Sequence, residues 1–205
     1  MQMLDFDQEI VLENERVLLR PLRTRDFEEL LPFSLHEPDL WKYSLLSADG
    51  TANLRHYIYG ALQDKTAKTA YPFIVFDKQK MSYAGSTRFY DYNPRHETIQ
   101  LGYTWYGREI QGTGLNKHCK YLMLNYAFLQ LGLERVEFRA DNNNARSIAA
   151  MKSIGCIVEG VLRNNCQSPT GRRDSIILSI LKKEWFDGVR TALQQKIRAE
   201  AGRLL

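Results

Sequence analysis

The chain has 205 residues, 44% of them hydrophobic and 25% charged, a composition that builds a proper core without disulfides or a structural metal and argues against disorder. Its 28 basic and 24 acidic residues leave a net charge of +4, too mild to indicate nucleic acid as a partner and compatible with a small anionic ligand. The three cysteines (Cys119, Cys156, Cys166), odd in number and far apart, read as reduced thiols of a cytoplasmic protein, and the scattered histidines (His36, His56, His96, His118) show no ligand spacing, so no metal site is expected. Met1–Asp7 carries acids and no long apolar stretch, so neither a signal peptide nor a transit peptide is expected there. No apolar run approaches the roughly 18–20 residues that span a bilayer, so a membrane partner is not expected.

In chain order, Arg16–Leu22 reads as a strand ended by Pro21, and Thr24 with Asp26 then caps a short helix that Pro32 should stop. Glu37–Ser47 has no assignable period. A second helix is expected within Ala52–Gln63, where Leu54, Ile58 and Leu62 recur every fourth residue. The pattern then changes to strands at Tyr71–Phe76, Tyr83–Tyr92 and Thr98–Trp105, joined by turns at Asp77–Lys80 and Asn93–His96, which describes an antiparallel meander. A long helix is expected from Gly112 to about Leu131, with Leu115, Cys119, Leu122, Met123, Tyr126 and Leu129 on one stripe and Gly132 as its C-cap. Arg135–Asp141 alternates as a strand, and Asn142–Asn144 leads into a helix running to Ile154 and stopped by Gly155. Two further strands, Cys156–Asn165 and Ser175–Leu181, flank a turn at Ser168–Gly171. Glu184–Leu205 reads as a charged helix with a solvated face over Arg190–Arg203. No linker or repeat divides the chain, and the run from Thr98 to Asn165 implies a sheet with crossover helices.

The chemistry centres on Gln111-Gly-Thr-Gly-Leu-Asn116, between a strand and the long helix. Its glycines allow a tight turn with exposed amides, and the helix start adds unpaired donors and a positive dipole end. That combination suits a phosphate or diphosphate, although a simple tight turn has the same residues. The Gly-Lys-Ser/Thr ending of a P-loop is absent, and so is the third glycine of a dinucleotide fingerprint.

Gln111-x-x-Gly114-x-Asn116 resembles the Gln/Arg-x-x-Gly-x-Gly/Ala signature of the GNAT superfamily of N-acetyltransferases. Asn144-Ala-Arg-Ser147 and Met151-Lys-Ser-Ile-Gly155 resemble its next motif. Glu15–Leu22 and Glu159–Arg163 resemble the RimJ/RimL-like branch, the ribosomal-protein-alanine acetyltransferases, and the likeness runs in order from Glu13 to Trp185. It implies one α/β (α+β) domain over residues 1–205, with a core over 13–185 and a helical extension over 186–205. The sheet would be mixed and mostly antiparallel, with a splayed central strand pair and flanking helices.

The function implied is direct transfer of an acetyl group from acetyl-CoA, the one co-substrate, to a primary amine: a protein N-terminus or a small amine. A non-catalytic acyl-CoA-binding module on the same fold and a nucleotide-binding enzyme are the alternatives. By resemblance, the backbone at Tyr103, Thr104 and Trp105 pairs with the pantetheine amides. The loop at Gln111, with amides of Gly112, Thr113, Gly114, Leu115 and Asn116, holds the diphosphate. Asn144 bonds the pantetheine arm, and Lys117, Lys120, Arg146 or Lys152 meets the 3′-phosphate. Many relatives have a tyrosine at the position of Met151, which cannot donate, so Ser147 is expected to serve the leaving thiolate. Relatives often carry Glu at the position of Gln100; an amide is no base, which leaves Glu97, Asp91 and Tyr90 as candidates. Cys119 reads as core, Trp105 as lining or core, and His118 and His56 as surface residues. Tyr57, Tyr59, Trp41 and Tyr43 read as acceptor-cleft or sheet-packing residues. The family analogy also suggests a homodimer.

Overall fold

The computed structural model describes residues 3–169 and 171–201. Strands β1 (Leu12–Glu13), β2 (Val17–Pro21), β3 (Ala70–Asp77), β4 (Ser82–Asn93), β5 (Thr98–Tyr106), β6 (Arg135–Asp141), β7 (Ile157–Ser168) and β8 (Gly171–Leu181) form one sheet. Their order is β1-β2-β3-β4-β5-β6-β8-β7. Every neighbouring pair is antiparallel except β5 and β6, which run parallel. A parallel pair needs a crossover, and helix α3 (Leu115–Asn125), extended by a π-helical turn at Tyr126–Gln130, supplies it. No described helix is long and apolar enough to cross a membrane.

The sheet separates two cores. Tyr71, Phe73 and Val75 of β3 point into a large core shared with α3, while Ile74 points into a smaller one under helices α1 (Phe27–His36) and α2 (Gly50–Thr66). A strand covered on both faces must be apolar at consecutive positions, which is why Tyr71–Phe76 shows no alternation. Helix α4 (Ala145–Ser153) follows β6.

Pro32 does not end α1, which runs through it to His36. Proline removes one N–H bond from a helix interior, but side chains around it fix the helix in place. Leu30 is fully buried, the Phe33 ring meets Trp105 edge-on at 5.7 Å, and Ser34 Oγ donates to Ala48 O at 2.6 Å. The long helix starts at Leu115, three residues later than its glycines suggested. Gly112 (φ +79°) and Gly114 (φ +86°) are left-handed and cannot belong to a right-handed helix. Its end is as expected, with Gly132 at φ +68°.

The C-terminal segment is not a solvated appendage. It forms α5 (Lys182–Glu184), a π-helical turn at Trp185–Val189 and α6 (Arg190–Ala201). Trp185 is fully buried between Phe128 and Tyr121, and Leu193 and Ile197 of α6 join the large core. The remainder of the helix expected there, residues 202–205, lies outside the described residues, as does Thr170 of the expected turn.

Candidate active site

β5 and β6 touch only at their beginnings. Thr98, Ile99 and Gln100 pair with Arg135, Val136 and Glu137, and beyond them the strands part. β6 stays paired with β8 along its length, so β5 is the strand that leaves. The cause is a bulge: Ser86 of β4 faces Trp105 while Arg88 faces Gly102, so Tyr103 and Thr104 together oppose Thr87. Tyr103 adopts φ +50°, a strained value for a bulky residue. Its ring is held by the Arg88 guanidinium 4.0 Å from its centroid and by Tyr90 edge-on at 5.1 Å. The β6 side of β5 beyond Gln100 therefore has no strand partner, a row of backbone groups open to an extended ligand.

The parting opens a cleft of about 740 Å³ that runs through the sheet, from Trp41 and Tyr57 on the α1–α2 side to Asn116, Lys117 and Ser147 on the α3–α4 side. At the latter mouth lies the glycine loop. Gln111 Nε2 donates to Tyr106 O at 2.8 Å, and its Oε1 accepts from Arg146 on α4, so this side chain shapes the loop and ties it to α4. Thr113 turns inward: its amide and its Oγ1 both donate to Ile110 O, at 3.3 and 2.7 Å. Of the five amides in the expected cradle, Thr113 is thus already used. Gly112, Gly114, Leu115 and Asn116 donate to no described partner, the last two because a helix's first turn has none to offer. Asn116 Oδ1 is also buried without a partner.

Glu200 of α6 reaches this mouth. One of its oxygens accepts from Lys117 Nζ, and the other is buried unpartnered against Gly114. The sequence places these residues far apart, and neither composition nor period indicates the contact. Of the four basic candidates for the 3′-phosphate, Lys117 is thus paired with Glu200, Arg146 contacts Gln111 and Lys120 is buried. Lys152 has no described partner.

On the opposite wall, Asp141 Oδ1 accepts from Asn143 N at 2.8 Å and Asn144 Oδ1 accepts from Ser147 N at 3.1 Å, so Asn144 is the N-cap of α4. Its amide nitrogen remains for the cleft. Ser147 Oγ has no described hydrogen-bond partner and lines the cleft, as does Met151.

On the α1–α2 side, Trp41, Tyr43 and Tyr57 line the cleft, whereas Tyr59 is exposed elsewhere. Trp105 lines it and is also core: it packs edge-on against Trp41 at 5.1 Å, and its Nε1 donates to Tyr57 Oη at 3.3 Å. Among the base candidates, Glu97 sits in the turn before β5, away from the cleft, where its carbonyl accepts from Glu134 and Arg135 amides. Tyr90 lines the cleft, but burial pushes its phenol up, away from use as a base. Asp91 lines the rim, and Gln100 Oε1 is buried there without a donor. Cys119 is fully buried and burial pushes its thiol up to about 11, so it is a core residue. His56 is exposed, but His118 is not: it is 7% exposed, bonded to Asn14 Nδ2 at 3.0 Å, and burial lowers its pKa.

A bulged strand parted from its parallel neighbour, beside a glycine loop opening a helix, is the architecture of an acyl-CoA-dependent transferase. Residues 16–157 match the family model described as an acetyltransferase (GNAT) domain, and the chain belongs to that family of N-acetyltransferases. It is 24% identical to a Bacillus subtilis (strain 168) protein named "Putative ribosomal N-acetyltransferase YdaF", over 84% of this chain and 94% of that one. A T. thermophilus structure described as a "putative acetyltransferase" is 30% identical, with a TM-score of 0.82, covering 91% of this chain and 96% of that one. Mycobacterium smegmatis RimJ in complex with CoA-disulfide has the same fold, with a TM-score of 0.73 at 19% identity and 88% coverage of both chains.

Proposed function

We propose that this N-acetyltransferase takes acetyl-CoA as donor and transfers the acetyl group directly to a primary amine, either a protein N-terminus or a small amine. The observation that carries the reading is the set of unengaged amides at Gly112, Gly114, Leu115 and Asn116, set at the mouth of the cleft that the β5 bulge opens. A diphosphate there takes up donors that the fold leaves unsatisfied. The pantetheine arm then lies along the partnerless stretch from Leu101 to Tyr106, pairing with backbone at Tyr103, Thr104 and Trp105. Thr113 and Gln111 act by shaping the loop, and Asn144 offers its amide nitrogen to the arm. The acetyl group reaches the middle of the sheet, where the acceptor enters past Trp41, Tyr43 and Tyr57. The name of the B. subtilis relative, a putative ribosomal N-acetyltransferase, favours a ribosomal acceptor.

Ser147 Oγ, free and in the cleft, hydrogen-bonds the departing thiolate. Ser147→Ala is expected to lower kcat on the order of 10- to 100-fold while acetyl-CoA affinity changes little. Thiol release from acetyl-CoA, measured with peptides of varied N-terminal residue and with polyamines, tests both the reaction and this role. CoA binding without release of thiol on any acceptor would contradict the reaction, and an unaltered rate in the variant would remove Ser147 from it.

A further inference from the structure

Lys120 is an anomaly of the cleft. It projects from α3 toward the sheet, is 5% exposed, and still lines the cleft. Its Nζ donates to Thr104 Oγ1 at 2.7 Å and to Thr87 Oγ1 at 3.2 Å, and the two hydroxyls lie 2.7 Å apart. These threonines face each other at the β5 bulge, where the β4–β5 ladder is broken. The group is thus built into the feature that opens the cleft, and Thr104, bonded to the Lys120 amine, lines the cleft beside it.

An ammonium buried without a counter-ion is costly. No described carboxylate is paired with Lys120. The titratable groups facing it are Cys119, on its own helix, and Cys156, in the segment entering β7; burial pushes both thiols up, so neither is an anion near neutrality. From β4 and β5 it meets only the neutral hydroxyls of Thr87 and Thr104. Burial accordingly lowers Lys120 to about 7. Near neutrality the amine is therefore often unprotonated and has a lone pair to offer, at the basicity that suits proton transfer at that pH. Gln100 provides no such group.

We propose that Lys120, through the Thr104 hydroxyl, receives the proton that the acceptor amine gives up as it attacks the thioester. The inference rests on the transferase reading above. The amine nitrogen forms its bond to the acyl carbon and the carbon–sulfur bond breaks. The proton on nitrogen passes to Thr104 Oγ1 as the Thr104 proton passes to the neutral Lys120 amine. The sulfur leaves as a thiolate hydrogen-bonded by Ser147 Oγ and takes its proton from solvent, to which Lys120 returns the one it received. The products are the amide and the free thiol. Because the neutral amine is the active form, kcat rises with pH through about 7 and levels off above it.

The test uses the full chain, acetyl-CoA and the peptide and polyamine panel. Lys120→Arg keeps a donor for both threonines but stays protonated, Lys120→Met removes the group, and Thr104→Val cuts the relay. Both lysine variants should lose about 100-fold or more in kcat and Thr104→Val about 10-fold, with KM for acetyl-CoA within about threefold of wild type. The rise near pH 7 should vanish in Lys120→Arg. Variants that keep the wild-type kcat and pH profile would overturn the proposal. So would a loss that follows only a lower melting temperature and a raised KM, which marks a structural lysine. Calorimetric titration with CoA separates the two readings: a wild-type protein that binds no CoA, or binds it and turns over no amine, overturns the transferase reading and this one with it. Intact CoA binding with unaltered turnover in the variants overturns the proton role alone.

Discussion

Gly114→Trp should abolish CoA binding and leave the fold standing. Gly114 has φ +86°, a conformation that costs a side-chain-bearing residue about 1–2 kcal/mol. A domain typically has a margin of about 5–15 kcal/mol, so that strain alone does not unfold it. A Cβ there would lie 2.4 Å from Glu200 Oε2, the end of a flexible side chain that can swing away from Lys117. The indole, however, would stand over the amides of Gly112, Leu115 and Asn116, where no compensating shift frees them. Calorimetric titration should show CoA affinity falling by more than about 100-fold, roughly 2.7 kcal/mol, with a melting temperature only a few degrees lower. An unchanged affinity would mean that the diphosphate binds elsewhere.

Trp105→Ala should produce the larger loss of stability. The side chain is 5% exposed and meets Phe33, Trp41 and Tyr57 edge-on at centroid distances of 5.7, 5.1 and 6.5 Å. Truncating a buried tryptophan removes its burial and leaves a cavity, about 3–5 kcal/mol together. In a chain of this size that lowers the melting temperature on the order of 10 °C. Tyr57 Oη also loses the donor it has in Trp105 Nε1, on the side proposed for entry of the acceptor. Acceptor KM should therefore rise well above its wild-type value, while CoA affinity stays close to it, because the loop is held separately by Tyr106 O, Ile110 O and Arg146. A variant equally stable by thermal melting would show that Trp105 is lining alone and not core.

What the sequence disclosed follows from where local pattern and tertiary packing agree. The unalternating run at Tyr71–Phe76 is a strand covered on both faces, and Leu115, Cys119 and Met123 form the buried stripe of α3. The glycine loop is legible because left-handed residues ahead of a helix have few chemical substitutes. The parting of β5 from β6, and a bulge as its cause, came from family resemblance; the residues that make the bulge did not, because Tyr103 is a residue that ordinarily avoids φ +50° and is kept there by Arg88, fifteen positions earlier in sequence, and by Tyr90. Pro32 misled because a local rule for ending helices was outweighed by contacts of Leu30, Phe33 and Ser34. Charge misled in α6, where Leu193 and Ile197 form a buried stripe inside a highly charged segment, and Glu200 lands on Gly114. Lys120 was legible only as one of several basic residues near the loop. Its direction, toward two threonines at a bulge, depends on the bulge itself.

The central claim is that amides at the start of α3 hold the diphosphate of CoA and so direct its thioester into the gap between β5 and β6. A crystal structure of the protein with acetyl-CoA measures this most directly. The account predicts diphosphate oxygens within hydrogen-bonding distance of the Gly112, Gly114, Leu115 and Asn116 amides, with Glu200 turned aside and the pantetheine alongside Tyr103–Trp105. Those amides bonded instead to Glu200 or solvent, with the nucleotide seated at another surface, would contradict it.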